Sequence, residues 1–371
     1  MRPTVTSPLS FALVIVAGLA MTGTVPAQAE DYKPIAGLSA KDRAILAAKM
    51  ADQGQCNNAM VEVSEAMKDL HDDEMLIRIK GICEMEMEPP QGKETIMKWL
   101  KLAPQTHPER GKMLALLAKT QAAKELPLEW VSVPAGEFEM GADDEKAADD
   151  EKPKHKVSVN AFLIGKHEVT NAQYHAFVKA TGHRVPENCC DPKFNLWKGG
   201  KGDVVPPDVE VLPAVNVSWD DAVAFCKWSG ARLPTEAEWE KAARGTDGRT
   251  YPWGNEPPTG NRANYSFDPV SIWDGPASLA KKDQYEFGRS PYGAYEMAGN
   301  VWEWVQDWYD ENYYKSSPAE NPTGPAKGEG RVIRGASWRN TSDMLRAANR
   351  NKHAPTDRRV YVGIRCAKDA K

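Results

Sequence analysis

The sequence predicts an α+β domain poor in regular secondary structure, preceded by a small all-α module. From Ser39 to about Leu126 apolar residues recur at helical spacing and strand signals are absent. At Leu128 the pattern changes to short strands, WVSVPAGEFEMG and HKVSVNAFLIGKHEVT. Beyond them, well-capped helices are separated by stretches rich in Gly, Pro and Asn, from Thr181 to Pro213 and from Thr246 to Gly299. Irregular segments of that length in a compact domain are uncommon unless they are functional or pinned.

The first thirty residues place Arg2 before an apolar run from Phe11 to about Met21 and a small-residue site, Ala27-Gln28-Ala29. This pattern predicts a secretory signal peptide over residues 1–29, cleaved after Ala29. The run is shorter than the ~20 residues a bilayer requires, and no later segment is apolar enough to span, so no membrane span is expected after cleavage. Export to an oxidising compartment, the periplasm, lets the six cysteines pair.

Residues 30–126 form the predicted helical module. Ser39 and Asp42 make a capping pair, and Ile45, Leu46 and Met50 follow at helical spacing. Further helices are expected at Asn58–Leu70, Glu74–Met87, Lys93–Leu102 and Glu109–Lys124, with breaks near Pro89-Pro90 and Pro104. Helix pairs of this pitch suggest either a short tetratricopeptide-like array or a plain bundle. Cys56 opens one helix and Cys83 lies late in the next, so a bridge across a helical hairpin is expected.

The second domain, residues 128–371, is predicted to carry helices at Asn171–Ala180, Asp220–Ser229 and Glu236–Arg244. Ser218-x-x-Asp221 and Thr235-x-x-Glu238 are capping boxes, and Gly245 supplies a stop. RLPTEAEWEKAARG reads as an amphipathic helix with Trp239 and Ala242 inward. In WEWVQDWY, Trp302, Trp304 and Trp308 share one strand parity and Glu303, Val305 and Asp307 the other. The acidic run DDEKAADDEK reads as a solvated loop tip.

A net charge of -5 gives no electrostatic footprint for nucleic acid. There is no GxSxG nucleophile and no Walker pattern, so hydrolase and phosphoryl-transfer readings are poor. The expected partner is an exported protein, a peptide or a small-molecule substrate.

Several motifs in order, EVTNAQY, PAVNVSWDDAVAFCKWSGARLPTEAEWEKAARG, YPWGN, AYEMAGNVWEWVQDWY, RVIRGASW and GIRC, resemble the sulfatase-modifying factor, or formylglycine-generating enzyme, family. The resemblance covers about Leu128 to Lys368 and implies a distorted C-type-lectin-like topology. It implies structural calcium, held at one site by Asn264, Tyr265, Asp274 and Pro276, and at a second by the Glu296 and Glu303 side chains with the Gly299 and Val301 carbonyls. Such oxygen sets suit a hard cation. It also implies a Cys226–Cys366 disulfide. The positions of a second family disulfide are both alanine here, Ala243 and Ala347.

In the formylglycine-generating members, two cysteines after the GGS turn bind copper. Aligned on GASW, those positions are Asn340 and Leu345, neither of which replaces a thiolate. Ser337, Trp338 and Asn340 are the candidate cleft residues, and any catalytic metal is unassigned. His167, His175 and His183 recur every eight residues but lack a metal-type spacing and read as surface or satisfied histidines. Cys189-Cys190 is left open among a vicinal bridge, separate partners, a thiol metal site and exposed thiols.

The functional expectation is an exported family member acting in maturation or assembly of another exported protein or metabolite. Two other classes stay open. One is a metal- or cofactor-dependent oxidoreductase like the pyoverdine-maturation branch. The other is a non-catalytic peptide- or protein-binding pseudoenzyme, like members that accompany nitrite reductase.

Overall fold

The computed structural model describes residues 32–370, apart from 72, 88, 105, 115, 118–126, 199–203 and 269–273. The expected signal peptide lies outside the described residues. The chain divides into two compact units, Met1–Arg110 and Gly111–Lys371. The change from helical to strand patterning at Leu128 falls inside the second.

The first unit contains helices α1 (Ala40–Asp52), α2 (Cys56–Ala66), α3 (Glu74–Met87) and α4 (Pro89–Leu102). Ser39 caps α1 as its sequence predicts, its side chain accepting a hydrogen bond from the Asp42 amide. Pro89 and Pro90 separate α3 from α4 by occupying the first turn of α4, where the missing N–H groups leave no intrahelical bond unmade. The stretch expected to be helical from Glu109 is so over 110–114 and 116–117, and its remainder lies outside the described residues. Cys56 and Cys83 are bridged, with Cα atoms 5.0 Å apart, tying the start of α2 to the end of α3. The buried acid Glu62 is satisfied by Arg43 at 2.6 Å and the Tyr32 hydroxyl at 2.7 Å, which offsets its desolvation.

The second unit is built on three small sheets. Strand β1 (Trp130–Val133) pairs antiparallel with β4 (Phe162–Gly165), which pairs on its other edge with β9 (Ala367–Asp369). A hairpin joins β2 (Gly136–Met140) to β3 (His155–Val159). The third sheet runs β7 (Arg350–His353), β6 (Arg331–Arg334), β5 (Trp302–Trp308), β8 (Val362–Gly363), with β8 parallel to β5 and the other pairs antiparallel. Among its described residues the unit also carries α5 (Asn171–Thr181), α6 (Trp219–Trp228) and α7 (Glu236–Arg244). Both expected capping boxes form, Ser218 with Asp221 and Thr235 with Glu238. Gly245 ends α7 at φ 71°, where an added Cβ would lie 2.8 Å from Pro291 Cγ. Both the left-handed backbone and the close approach demand glycine.

Three sequence expectations change. Helix α7 is not amphipathic in its setting, because all nine residues are buried. Its polar face turns inward onto arginines: Arg334 reaches Glu236 at 2.9 Å and Glu240 at 2.7 Å, and Arg350 reaches Glu236 at 2.7 Å. Strand β5 is likewise buried on both faces from Trp302 to Val305, since Glu303 finds a buried arginine and Asp307 caps the Glu236 amide at 2.9 Å. A register shift between Trp304 and Trp308 breaks the simple parity, and Trp308 with Trp219 sandwiches the Arg331 guanidinium at 3.6 and 3.7 Å. The acidic run is not wholly a solvated tip: Glu151 is buried and holds Arg346 at 2.7 Å.

Cys226 of α6 and Cys366 beside β9 are bridged, Cα atoms 5.6 Å apart across a sequence separation of 140. A loop that long implies stabilisation of about 4–5 kcal/mol by the chain-entropy model. Ala243 and Ala347 are packed in one apolar cluster.

Candidate functional site: a cleft wall over buried carboxylates

The segment where the family resemblance places a cleft, Ser337, Trp338 and Asn340, begins where β6 ends, and we refer to it as the wall. Gly335 at φ 96° and Ala336 at φ 64° turn the chain sharply, and a side chain at Gly335 would press on Trp239, 3.1 Å from its ring. Ala336 therefore holds a backbone conformation that costs a residue with a Cβ about 1–3 kcal/mol, over-determined by its surroundings. Beneath lies the loop Glu296–Val301, itself turned by Glu296 at φ 58° and Asn300 at φ 60°. Two backbone bonds stitch wall to loop: Gly299 N–H donates to Gly335 O at 2.7 Å, and Trp338 N–H to Asn300 O at 2.8 Å.

Asn340 locks the wall. Its side-chain oxygen accepts from the Ser337 amide at 3.0 Å, the Ser337 hydroxyl at 2.7 Å and the Trp302 indole N–H at 3.0 Å. Leu345 is 1% exposed and packs in the main apolar core. One aligned position thus serves as a polar clasp and the other as core, and neither presents a soft donor to a metal. Ser337 is fully buried with its hydroxyl engaged by Asn340, so it is part of the clasp rather than a free nucleophile.

Behind the wall sit three buried acids, Glu168, Glu296 and Glu303, around Arg365. Arg365 forms a bidentate pair with Glu303, and the Trp239 indole N–H donates to the same carboxylate at 2.6 Å. Glu168 accepts from Asn300 Nδ2 at 2.5 Å and from the Val301 amide at 3.3 Å. Both oxygens of Glu296 are buried and make no close hydrogen bond, with only a weak contact from the Tyr285 backbone. Desolvation first, and the nearby Glu303 charge after it, lift the Glu296 carboxyl to about 8, with Arg365 opposing. Desolvation and the charges of Glu303 and Glu296 raise Glu168 well above the usual carboxylate range as well. An excess of carboxylates over arginine, with one left without a close partner, fits a hard cation. Among the described residues no three His, Cys, Asp or Glu side chains form a metal cage by themselves. A cation here would depend on the Gly299 and Val301 carbonyls besides Glu296 and Glu303.

The other oxygen set is drawn together only in part. Asn264 Nδ2 donates to Ser278 O at 2.9 Å and to Asn300 Oδ1 at 3.1 Å, which ties its loop to the turn Gly275–Ser278 that contains Pro276. Asp274 is exposed ahead of that turn, and the Tyr265 hydroxyl donates to Pro258 O at 3.1 Å.

The three histidines go separate ways. His167 is buried against Tyr295, with Nε2 3.3 Å from Asp283, and desolvation pulls it down to about 4. His175 packs edge-on against Trp197, and His183 bonds Asp221 at 2.8 Å.

Glu168, Asn300 and Arg365 are the site residues that sequence reasoning missed. All three lie inside the motifs EVTNAQY, EMAGN and GIRC, but nothing in one-dimensional spacing shows that residues 168, 300 and 365 meet. Asn300 carries the wall's connectivity: besides donating to Glu168, its side chain accepts from the Ala280 amide at 2.8 Å.

Curled short sheets, capped helices and long loops pinned to a rigid wall define a distorted C-type-lectin-like, formylglycine-generating-enzyme-like domain. A family model for the Sulfatase-modifying factor enzyme 1-like domain matches residues 116–370, and the chain belongs to that family. It is 36% identical over 290 residues to the formylglycine-generating enzyme of Streptomyces coelicolor, covering 65% of this chain and 89% of that one. It is 35% identical over 256 residues to the hercynine oxygenase of Mycolicibacterium thermoresistibile, covering 62% of this chain and 55% of the relative. Among solved structures it is similar to PvdO from Pseudomonas aeruginosa, with TM-score 0.56 and 28% identity over 66% of this chain and 95% of that one.

Proposed function

We propose that this protein is an exported, periplasmic member of the family that acts in maturation or assembly of another exported protein or metabolite, without copper-thiolate chemistry at the family cleft. The observation that carries the reading is the Asn340 clasp: three donors converge on one side-chain oxygen where a copper thiolate would stand, and Leu345 fills the other position as core. The wall is preserved as a shaped surface while its soft metal donors are replaced. Calcium, held by Glu296, Glu303 and the Gly299 and Val301 carbonyls, stiffens the loop beneath that wall as a structural ion.

A second reading, a metal- or cofactor-dependent oxidoreductase, is favoured by the likeness to a hercynine oxygenase. Mass spectrometry of exported proteins and small molecules from cells with and without this protein tests both. A partner that accumulates unprocessed supports the maturation role, and a mass change of hydrogen or oxygen on that partner selects the oxidoreductase. A partner that stays unassembled at unchanged mass selects a non-catalytic binding role. Identical exported pools would overturn the proposal. A cysteine-containing sulfatase peptide, incubated with copper-loaded protein and oxygen, is expected to keep its cysteine.

A further inference from the structure

Far from Asn340 in sequence, the segment Asn188–Asp191 carries two adjacent cysteines that neither disulfide uses. Their Sγ atoms are in contact at 2.8 Å, with Cys190 exposed and Cys189 half-buried. The loop is not loose. The Asn188 side chain accepts from the amides of Cys190 and Asp191, both at 3.1 Å, and donates to Asn216 at 2.9 Å. The Cys189 amide donates to Arg358 O at 3.1 Å, and Arg359 Nη1 donates to Cys190 Sγ at 3.1 Å. A guanidinium aimed at one sulfur of a contacting pair favours loss of the pair's first proton.

The same loop is tied toward the Ser337–Asn340 wall: Arg359, which reaches Cys190, stands two residues before Tyr361. Its ring lies 4.7 Å from the Arg339 guanidinium, the residue next to Trp338 and Asn340, and its carbonyl accepts from Trp302 N–H at 2.8 Å.

We infer that Cys189 and Cys190 form a dithiol–disulfide exchange site beside the family cleft, whose co-substrate is a disulfide of a peptide or small thiol. In the first step the exposed Cys190 sulfur, its proton passing to Cys189, attacks one sulfur of R–S–S–R′. A Cys190–S–S–R bond forms and R′S⁻ leaves. Cys189 then attacks the Cys190 sulfur, closing the Cys189–Cys190 bond and expelling RS⁻. The reacting pair is a monoanion, so one leaving thiolate takes up the proton it still holds and the other regains from solvent the proton released when the pair ionised; the external disulfide gains two electrons and the pair loses two. In reverse, the closed pair oxidises two external thiols. Burial works against an anion at Cys189, but the hydrogen bond from Cys190, the Arg358 backbone and the Arg359 charge together hold its thiol below the ordinary value, with Asp357 opposing. The shared proton rests on Cys190, whose thiol is raised by that bond.

The test uses the full-length protein with oxidised glutathione in one arm and a disulfide-bridged peptide in the other, read by intact mass. Exchange predicts that the unmodified chain loses two hydrogens and retains no adduct. Cys189→Ser should instead accumulate a single mixed disulfide on Cys190. Arg359→Ala should slow the reaction several-fold and move its pH–rate curve to higher pH, a readout that simple loss of packing would not produce. The faster arm assigns the source of the co-substrate. Two stable adducts per unmodified chain, or no reaction in either arm while the thermal unfolding of the protein is normal, would overturn the inference.

Discussion

Arg365 and Glu303 meet as a bidentate ion pair in which both side chains are buried, with Arg365 Nη2 2.6 Å from Glu303 Oε1. Arg365 also donates to the carbonyls of Gly165 at 2.9 Å and Tyr295 at 2.8 Å, so one guanidinium joins the end of β4, the loop before Val301 and strand β5. Truncating one partner leaves the other charged and dry. Arg365→Met is expected to cost about 3–5 kcal/mol in urea unfolding, and the double variant Arg365→Met/Glu303→Gln less than the single one. A double variant as unstable as the sum of both singles would show that the two do not act as a pair.

The Glu296 carboxyl, lifted from 4.5 to about 8, binds a proton more tightly folded than unfolded. Without bound cation its contribution is fully present below about pH 4.5 and is lost as the pH rises through 8. Thermal unfolding in chelator should therefore show Tm declining across that window. Glu296→Gln, which stays neutral, should flatten the decline, and an unchanged slope in the variant would assign the pH dependence elsewhere.

Calcium is expected to reverse that behaviour, because an ion favours the ionised carboxylate. At a free concentration of a hundred times Kd, a single site adds about 2.7 kcal/mol. Tm should rise on calcium addition at pH 8, and the rise should disappear in Glu296→Ala and Glu303→Ala. A calcium response that persists in both variants would relocate the site, for example to Asn264 and Asp274.

Asn340→Ala removes the acceptor for the Ser337 amide and hydroxyl and for the Trp302 indole. With these donors buried, the expected loss is about 1–3 kcal/mol, measured by chemical denaturation. A loss near zero would mean that the clasp contributes no stability and that Asn340 is held there for another reason.

Cys226→Ala is expected to destabilise the second unit by about 2–5 kcal/mol. Peptide mapping without reductant should recover the Cys226–Cys366 and Cys56–Cys83 cross-links.

Much of this architecture was legible in the sequence because it is local. Helix α3 lies over Glu74–Met87 and α7 over Glu236–Arg244, as their apolar spacing and capping residues indicate. The disulfides follow the same logic at longer range, one from a helical hairpin and one from the family resemblance. What periodicity could not show is where a polar residue finds its partner. Glu236 and Glu240 look solvent-facing along α7 until β6 and β7 deliver Arg334 and Arg350, and Glu151 ends a charge run that looks solvated until Arg346 arrives. The candidate site is hidden for the same reason: Glu168, Glu296, Glu303 and Arg365 are assembled by tertiary contacts between motifs.

The first sheet places β4 between β1, which precedes it by the β2–β3 hairpin, and β9, made some two hundred residues later. As the chain emerges from the ribosome, β4 therefore has one open edge until nearly the whole domain has been synthesised, and Cys226 has no Cys366 to meet. Contacts of such separation form slowly. The first sheet and the long disulfide therefore close only once the last strand has been made, and until then the outer edge of β4 stays unpaired.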